Sequence, residues 1–239
     1  MGGDGAMTTR DQRHGWRKVL FENGLSLAFA LLFLGALAGQ ALAGHARFNR
    51  ELLDDGFAPV SLGGYVTSSA FGVDVLENWQ SEFLQFLVFI VATVWLVQRG
   101  SPESKPLDRA GRESDAQQRV GRFAGPAAPR AARGHGLRRT LYSHSLALVM
   151  GAVFVTSWLG QSLAGAVVYS DEQVRGGHDP VSWAQYLRLP DFWDRTLQNW
   201  QSEFLAVLAM VILSVYLRER GSPESKPVGA PHDATGVAG

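Results

Sequence analysis

Leu76 to Pro106 and Leu197 to Pro227 match at 19 of 31 positions, at a constant offset of 121 residues. The offset holds without a gap from Arg17/Arg138 through Gly39-Gln40/Gly160-Gln161 to Pro106/Pro227. The chain is a tandem duplication of a unit of roughly 90 residues, so both halves must form the same elements. Any fold assigned to one half has to serve the other.

Each unit carries two long apolar stretches. Asn23 to Gly44 and Thr140 to Ser170 contain no Asp, Glu, Lys or Arg, and neither do Phe83 to Gln98 and Phe204 to Leu217. About 20 apolar residues span a bilayer core of roughly 30 Å. A helix of a soluble bundle shows a polar face every three to four residues; Leu27-Ala28-Phe29-Ala30-Leu31-Leu32-Phe33-Leu34 shows none. Helices apolar all round suit lipid, which offers no partner to stray polar groups. The expected fold is an all-α membrane protein. It has four transmembrane helices, arranged as two tandem, parallel-oriented helical hairpin repeats. Each repeat holds an even number of spans, so the two share one orientation.

The expected organisation is a disordered tail at 1–16; repeat 1 at 17–106, with spans near 21–44 and 79–98; and a flexible basic linker at 107–137. Repeat 2 follows at 138–227, with spans near 141–165 and 200–217, then a disordered tail at 228–239. Six arginines and three acids between Leu107 and Gly136, among Ala, Gly and Pro, cannot bury a core. Outer-loop Pro59-Val60-Ser61 with Tyr65 and Phe71 recurs as Pro180-Val181-Ser182 with Tyr186 and Phe192. It reads as a short interfacial helix, its proline in the first turn and its aromatic residues at the water–lipid boundary.

Of 22 basic residues, 17 lie before the first span, in the linker or after the fourth span. Loops 45–81 and 166–202 hold two and three basic residues and five acidic residues each. The positive-inside rule then places both termini and the linker in the cytoplasm. Arg17-Lys18, the apolar run and Ala41-Leu42-Ala43 imitate a signal peptide. The run from Leu25 exceeds the usual 7–15 residues or so, and its end recurs internally at Gly160 to Gly165, so a retained anchor is expected.

Three motifs are candidates for chemistry. The first is Asn-Trp-Gln-Ser-Glu-Phe, with Asn78, Trp79, Gln80 and Glu82 in one copy and Asn199, Trp200, Gln201 and Glu203 in the other. If the even spans begin near Trp79 and Trp200, both glutamates sit about one turn inside, on a stripe with Gln85, Phe89 and Thr93 or Ala206, Met210 and Ser214. A carboxylate at membrane depth faces protein or water. The pair can bind a cation or relay a proton. Equally, it can cap the helix start and pair with outer-loop arginines. The second motif, Arg-Gly-Ser-Pro-Glu-Ser-Lys-Pro, carries Arg99 and Lys105, then Arg220 and Lys226. Gly100 and Gly221 suit a helix stop, and the following Ser-Pro-Glu has the order of a new turn. Identity beyond that need suggests a docking surface for a cytoplasmic protein or a lipid phosphate. The third motif places Gln40 and Gln161 beside small residues (Gly35/Gly39, Gly39/Ala43, Gly160/Ala164) that let helices approach closely.

With no cysteine there is no thiolate site. No Walker loop, zinc-type His pair or nucleophile elbow occurs. The reading calls for no catalytic residue, cofactor, metal or nucleic acid. Its partners are the lipid bilayer, a second copy of the chain and a cytoplasmic protein. The Gly-Gln-Ser/Ala-Leu-Ala-Gly ends, the Asn-Trp-Gln-Ser-Glu-Phe starts and the Arg-Gly-Ser-Pro-Glu-Ser-Lys exits resemble a bacterial family of small membrane proteins. It is known as a domain of unknown function, number 6766, and the resemblance covers about residues 15–227. It implies a bacterial cytoplasmic-membrane location and brings no activity. The leading expectation is a non-enzymatic envelope, scaffold or stress-related protein. The alternative is a small oligomeric transporter or channel for protons or cations that uses Glu82 and Glu203.

Overall fold

The computed structural model describes residues 15–238. The expected N-terminal tail therefore lies almost wholly outside the described residues. All regular structure among them is helical: α1 (Trp16–Glu22), α2 (Gly24–Asp54), α3 (Leu62–Val66), α4 (Ser69–Ala92), α5 (Arg130–Arg133), α6 (Gly136–Ser143), α7 (Ser145–Arg175), α8 (Trp183–Tyr186) and α9 (Pro190–Tyr216), with 3-10 turns at Leu107–Arg109 and Gly121–Phe123. Contacts divide the chain into two compact units, one ending at Phe71 and the other starting at Gly72.

Three helices are long and apolar enough to cross a membrane, namely α2, α7 and α9. The fourth expected span is not among them. Helix α4 stops at Ala92 instead of reaching Gln98. There Thr93 turns its hydroxyl back onto the carbonyl of Phe89 at 2.8 Å, and Trp95 N–H donates to Ala92 O. A hydroxyl that bonds its own preceding turn competes with helix continuation. The apolar residues Val94 to Val97 are left outside the helix, while Asp74, Glu77 and Glu82 lie inside it.

The other bounds shift for local reasons. Before α2 the backbone breaks at Asn23 (φ −116°, ψ 15°), and before α7 it breaks at the equivalent His144 (φ −116°, ψ 10°). Helices α2 and α7, the first of each repeat, run past Gly44 and Gly165, each followed by a glycine in the left-handed region, Gly56 and Gly177, both at φ 80°. Phe57 N–H returns to Leu52 O and His178 N–H to Gln173 O, closing the helix ends as a glycine stop allows. Helices α4 and α9 start earlier than expected, at Ser69 and at Pro190, the latter proline in the first turn of α9.

Both short outer helices form. Ser61 caps α3 by accepting from Gly64 N–H at 3.1 Å. Ser182 and Gln185 make a reciprocal capping box at α8. Pro59 and Pro180 precede these caps and do not enter the helices. The chain before each cap is clamped to the preceding long helix: Asn49 exchanges two bonds with Val60, and Ser170 Oγ accepts from Val181 N–H.

Tyr65 and Tyr186 are covered by protein on all sides. Each is 1% exposed, within its own unit. Tyr65 packs with His45, Phe48 and Phe71, and Tyr186 with Tyr169 and Phe192, at ring separations of 5.4–6.0 Å. The small residue facing each ring is Gly44 or Gly165, where a Cβ would meet the tyrosine hydroxyl. That contact explains the final glycine of both Gly-Gln-Ser/Ala-Leu-Ala-Gly segments.

Candidate functional site

Helices α4, α7 and α9 meet in the second unit. Gly160 admits Leu76 against the α7 backbone, Gly151 faces Leu87, and Gly72 lies beside Ala164. Small residues on α7 thus make room for the leucines of α4. On α2, Gly35 and Gly39 have nothing within 4 Å of a Cβ position.

The α4–α9 seam is polar. Arg195 Nε donates to Glu77 Oε2 at 3.0 Å, with Nη2 3.8 Å from Asp74. Asn199 Nδ2 donates to Glu77 Oε1 at 2.8 Å, and Trp200 Nε1 to Gln80 Oε1 at 2.7 Å. Gln80, Gln161, Thr196 and Ser81 are at most 1% exposed. Ser81 Oγ donates to Asn78 O. Gln80 Nε2, both amide atoms of Gln161 and Thr196 Oγ have no hydrogen-bond partner among the described residues. Trp158 stacks near Phe154 and Phe192 and tilts toward Trp200 at 5.9 Å, closing the aromatic side of this polar core.

The candidate residues divide. Gln80, Asn199 and Trp200 belong to this junction, and Gln161 is buried on α7. Asn78, Trp79 and Gln201 are exposed, and Gln40 is half-buried in the other unit. Glu82 is exposed and Glu203 half-buried, and neither forms an ion pair among the described residues. Both stand roughly three and a half turns inside their helices, so neither caps a helix start. At this seam the acids that meet an arginine are Glu77 and, at 3.8 Å, Asp74. Asp74, Glu77, Thr196 and Arg195 were missed because they lie ahead of the repeated motif, in what reads as outer loop. Their signal was the repeat itself, since Asp74 and Arg195 occupy equivalent positions with opposite charge.

The two exit motifs fold as near-identical loops. Gly100 and Gly221 both stand at φ 84°, beyond the helix ends and not at them. Gln98 N–H donates to Ser104 Oγ at 2.9 Å, and Glu219 N–H to Ser225 Oγ at 3.0 Å. Lys105 reaches Gly111 O and Glu113, while Lys226, 1% exposed, reaches the carbonyls of Pro231, His232 and Ala234. Residues 228–238 return over the first loop, with Gly100 N–H on Thr235 Oγ1 and Gly236 N–H on Ser101 O. No helix starts at Ser101 or Ser222. Arg99 and Arg220 stay exposed.

Glu103 and Glu224, the acids of the two loops, line one crevice together, and a proton shared between them relieves their mutual repulsion. Burial, and then the Glu224 carboxyl, push Glu103 up to about 7. They stand at one end of a crevice of about 260 Å³ walled by Phe86, Phe89, Val207 and Met210. Gln85, Phe89, Ala206 and Met210 of the predicted stripe do face this common space. A carboxyl with a raised folded-state pKa contributes stability below its unfolded value, and this is lost as pH climbs through about 7. Spin labels at Arg99→Cys and Arg220→Cys should therefore show a narrow loop-to-loop distance at about pH 5 that broadens by about pH 8. Glu103→Gln, which donates without titrating, should keep it narrow throughout; a wild-type distance indifferent to pH would remove the shared proton.

A family model described as a domain of unknown function, DUF6766, matches residues 16–237. The chain belongs to the DUF6766 family. The match takes in both units and the linker, so the DUF6766 domain includes the polar junction and both exit loops. No curated protein and no solved structure matches the chain.

Proposed function

We propose that this DUF6766 chain is a non-enzymatic, multi-pass scaffold of the bacterial cytoplasmic membrane. In this reading it crosses four times, as two parallel hairpin repeats, with both termini and the linker cytoplasmic. The observation that carries it is α2. No residue of α2 is buried, and in its charge-free stretch from Gly24 to Gly44 Leu25, Leu31 and Leu32 are each more than two-thirds exposed. An unbroken apolar surface of that size is unsustainable in water and ordinary in lipid. Helix α4, continued by Val94 to Val97, supplies the fourth crossing. The scaffold role rests on the exit loops, two copies of one surface held side by side, each with an exposed arginine.

Alkaline carbonate should leave the protein in the membrane pellet, and reporter fusions at residue 120 and at the C-terminus should report the same face. Release into the supernatant, or opposite faces, would overturn the reading. Scrambling both Ser-Pro-Glu-Ser-Lys segments should abolish cross-linking to a cytoplasmic protein without releasing the chain from the membrane.

The crevice favours a second reading, an oligomeric proton or cation carrier whose stripe leads from Glu82 and Glu203 toward Glu103 and Glu224. Flux into proteoliposomes that Glu82→Gln/Glu203→Gln abolishes would select it over the scaffold.

A further inference from the structure

The linker is a folded segment with a cleft of its own. Residues 114–139 border an open cleft of about 610 Å³. Arg122, Arg133 and Arg139 line it, against a single acid, Asp115, which pairs with Arg139 at 3.3 Å. Arg122 lies over the ring of the adjacent Phe123 at 4.7 Å, and Arg133 has no side-chain partner among the described residues. The net excess of positive charge in the cleft is therefore uncompensated from within it.

Backbone geometry adds to the charge. Helix α6 begins at the cleft wall, and its N-cap, His135, makes no side-chain bond to the first turn. The free N–H groups and the dipole of such a terminus favour an anion. Opposite it, Gly121 takes φ 60°, and a Cβ there would strike the Arg139 guanidinium. Glycine thus lets the arginine lie against the chain, turned to the same space. Guanidinium groups with free N–H pairs match phosphate oxygens two at a time.

We propose that this cleft binds a phosphate-bearing anion, through Arg122, Arg133 and the N-terminus of α6, with Arg139 exchanging Asp115 for the ligand. The chemistry is common to a phospholipid headgroup and to a free phosphate. The cleft lies in the segment joining two apolar helices, so a headgroup is within reach if the chain spans a bilayer. The free anion needs no bilayer, and its binding does not depend on the scaffold reading.

The test uses the full-length protein in two arms. One is equilibrium dialysis against labelled inorganic phosphate in an uncharged detergent. The other is retention of phosphatidylglycerol over phosphatidylcholine from mixed nanodiscs. Arg122→Gln/Arg133→Gln should weaken binding by about tenfold or more in whichever arm reports it. Arg109→Gln/Arg119→Gln, the same charge change outside the cleft, should leave it within about twofold. Asp115→Asn should strengthen it. Binding confined to the nanodisc arm assigns a headgroup, and binding in both assigns phosphate itself. Equal losses for the two arginine pairs, or no binding in either arm, overturn the proposal.

Discussion

Arg195→Met is expected to lower the thermal unfolding midpoint of the detergent-solubilised protein by about 5–12 °C, equivalent to about 2–4 kcal/mol. Arg195 holds Glu77 at 3.0 Å and reaches Asp74 at 3.8 Å, and the Glu77 side chain is just 18% exposed. Removing the guanidinium takes the charge partner from Glu77 at a helix seam and leaves it the Asn199 amide as donor. The cost falls below that of a fully buried pair because Arg195 itself keeps a third of its side chain open to solvent. Tryptophan fluorescence reads the transition, since Trp158 and Trp200 sit in the junction. Glu77→Gln/Arg195→Met should recover part of the loss, as neighbours in one network do. An unchanged midpoint for the single variant would make the bridge an ordinary surface pair.

Tyr186→Ala should cost about 3–5 kcal/mol, by removing a buried ring and leaving a cavity beside Gly165. Tyr186→Phe should cost less than about 1 kcal/mol, because the hydroxyl reaches Asp191 only at 3.3 Å. Burial, and then the nearby Asp191 carboxylate, push the tyrosine hydroxyl up, so it stays protonated at ordinary pH. Unfolding midpoints of the two variants separate the ring from its hydroxyl. Equal losses would contradict a packing role. Tyr65→Ala should have a similar effect on the other unit, since Tyr65 stands against Gly44 in the same way.

The helical content, the long first helix of each repeat and the short outer helices were all legible in the residues. The apolar runs and the repeated Pro-Val-Ser segments marked where these helices lie, whereas the caps at Ser61 and Ser182 and the stops at Gly56 and Gly177 emerged from the structure. The helix ends were less legible. Sequence placed α4 to Gln98, but Thr93 back-bonding and the turn behind it end the helix at Ala92. Helices α4 and α9 also start further upstream, because uncharged stretches mark lipid depth and not helix length. Glu82 and Glu203 consequently moved from helix starts to helix middles.

The site shows the same division. Repetition alone was enough to single out Gln80, Asn199 and Trp200, which meet in the polar junction, and Gln161, which is buried on α7. It also singled out Trp79 and Gln201, their equivalents, which are exposed. A duplicated sequence offers the same groups twice, and only the packing of α7 on one side of the α4–α9 seam buries one set. Glu77, Arg195 and Thr196 joined the site for that reason, and Glu103 and Glu224, far apart in the chain, came to line one crevice. Local order follows from neighbours along the backbone, and the residues themselves determine it. Which faces touch is decided by shape and charge matched between distant segments, and that appears only when the helices pack.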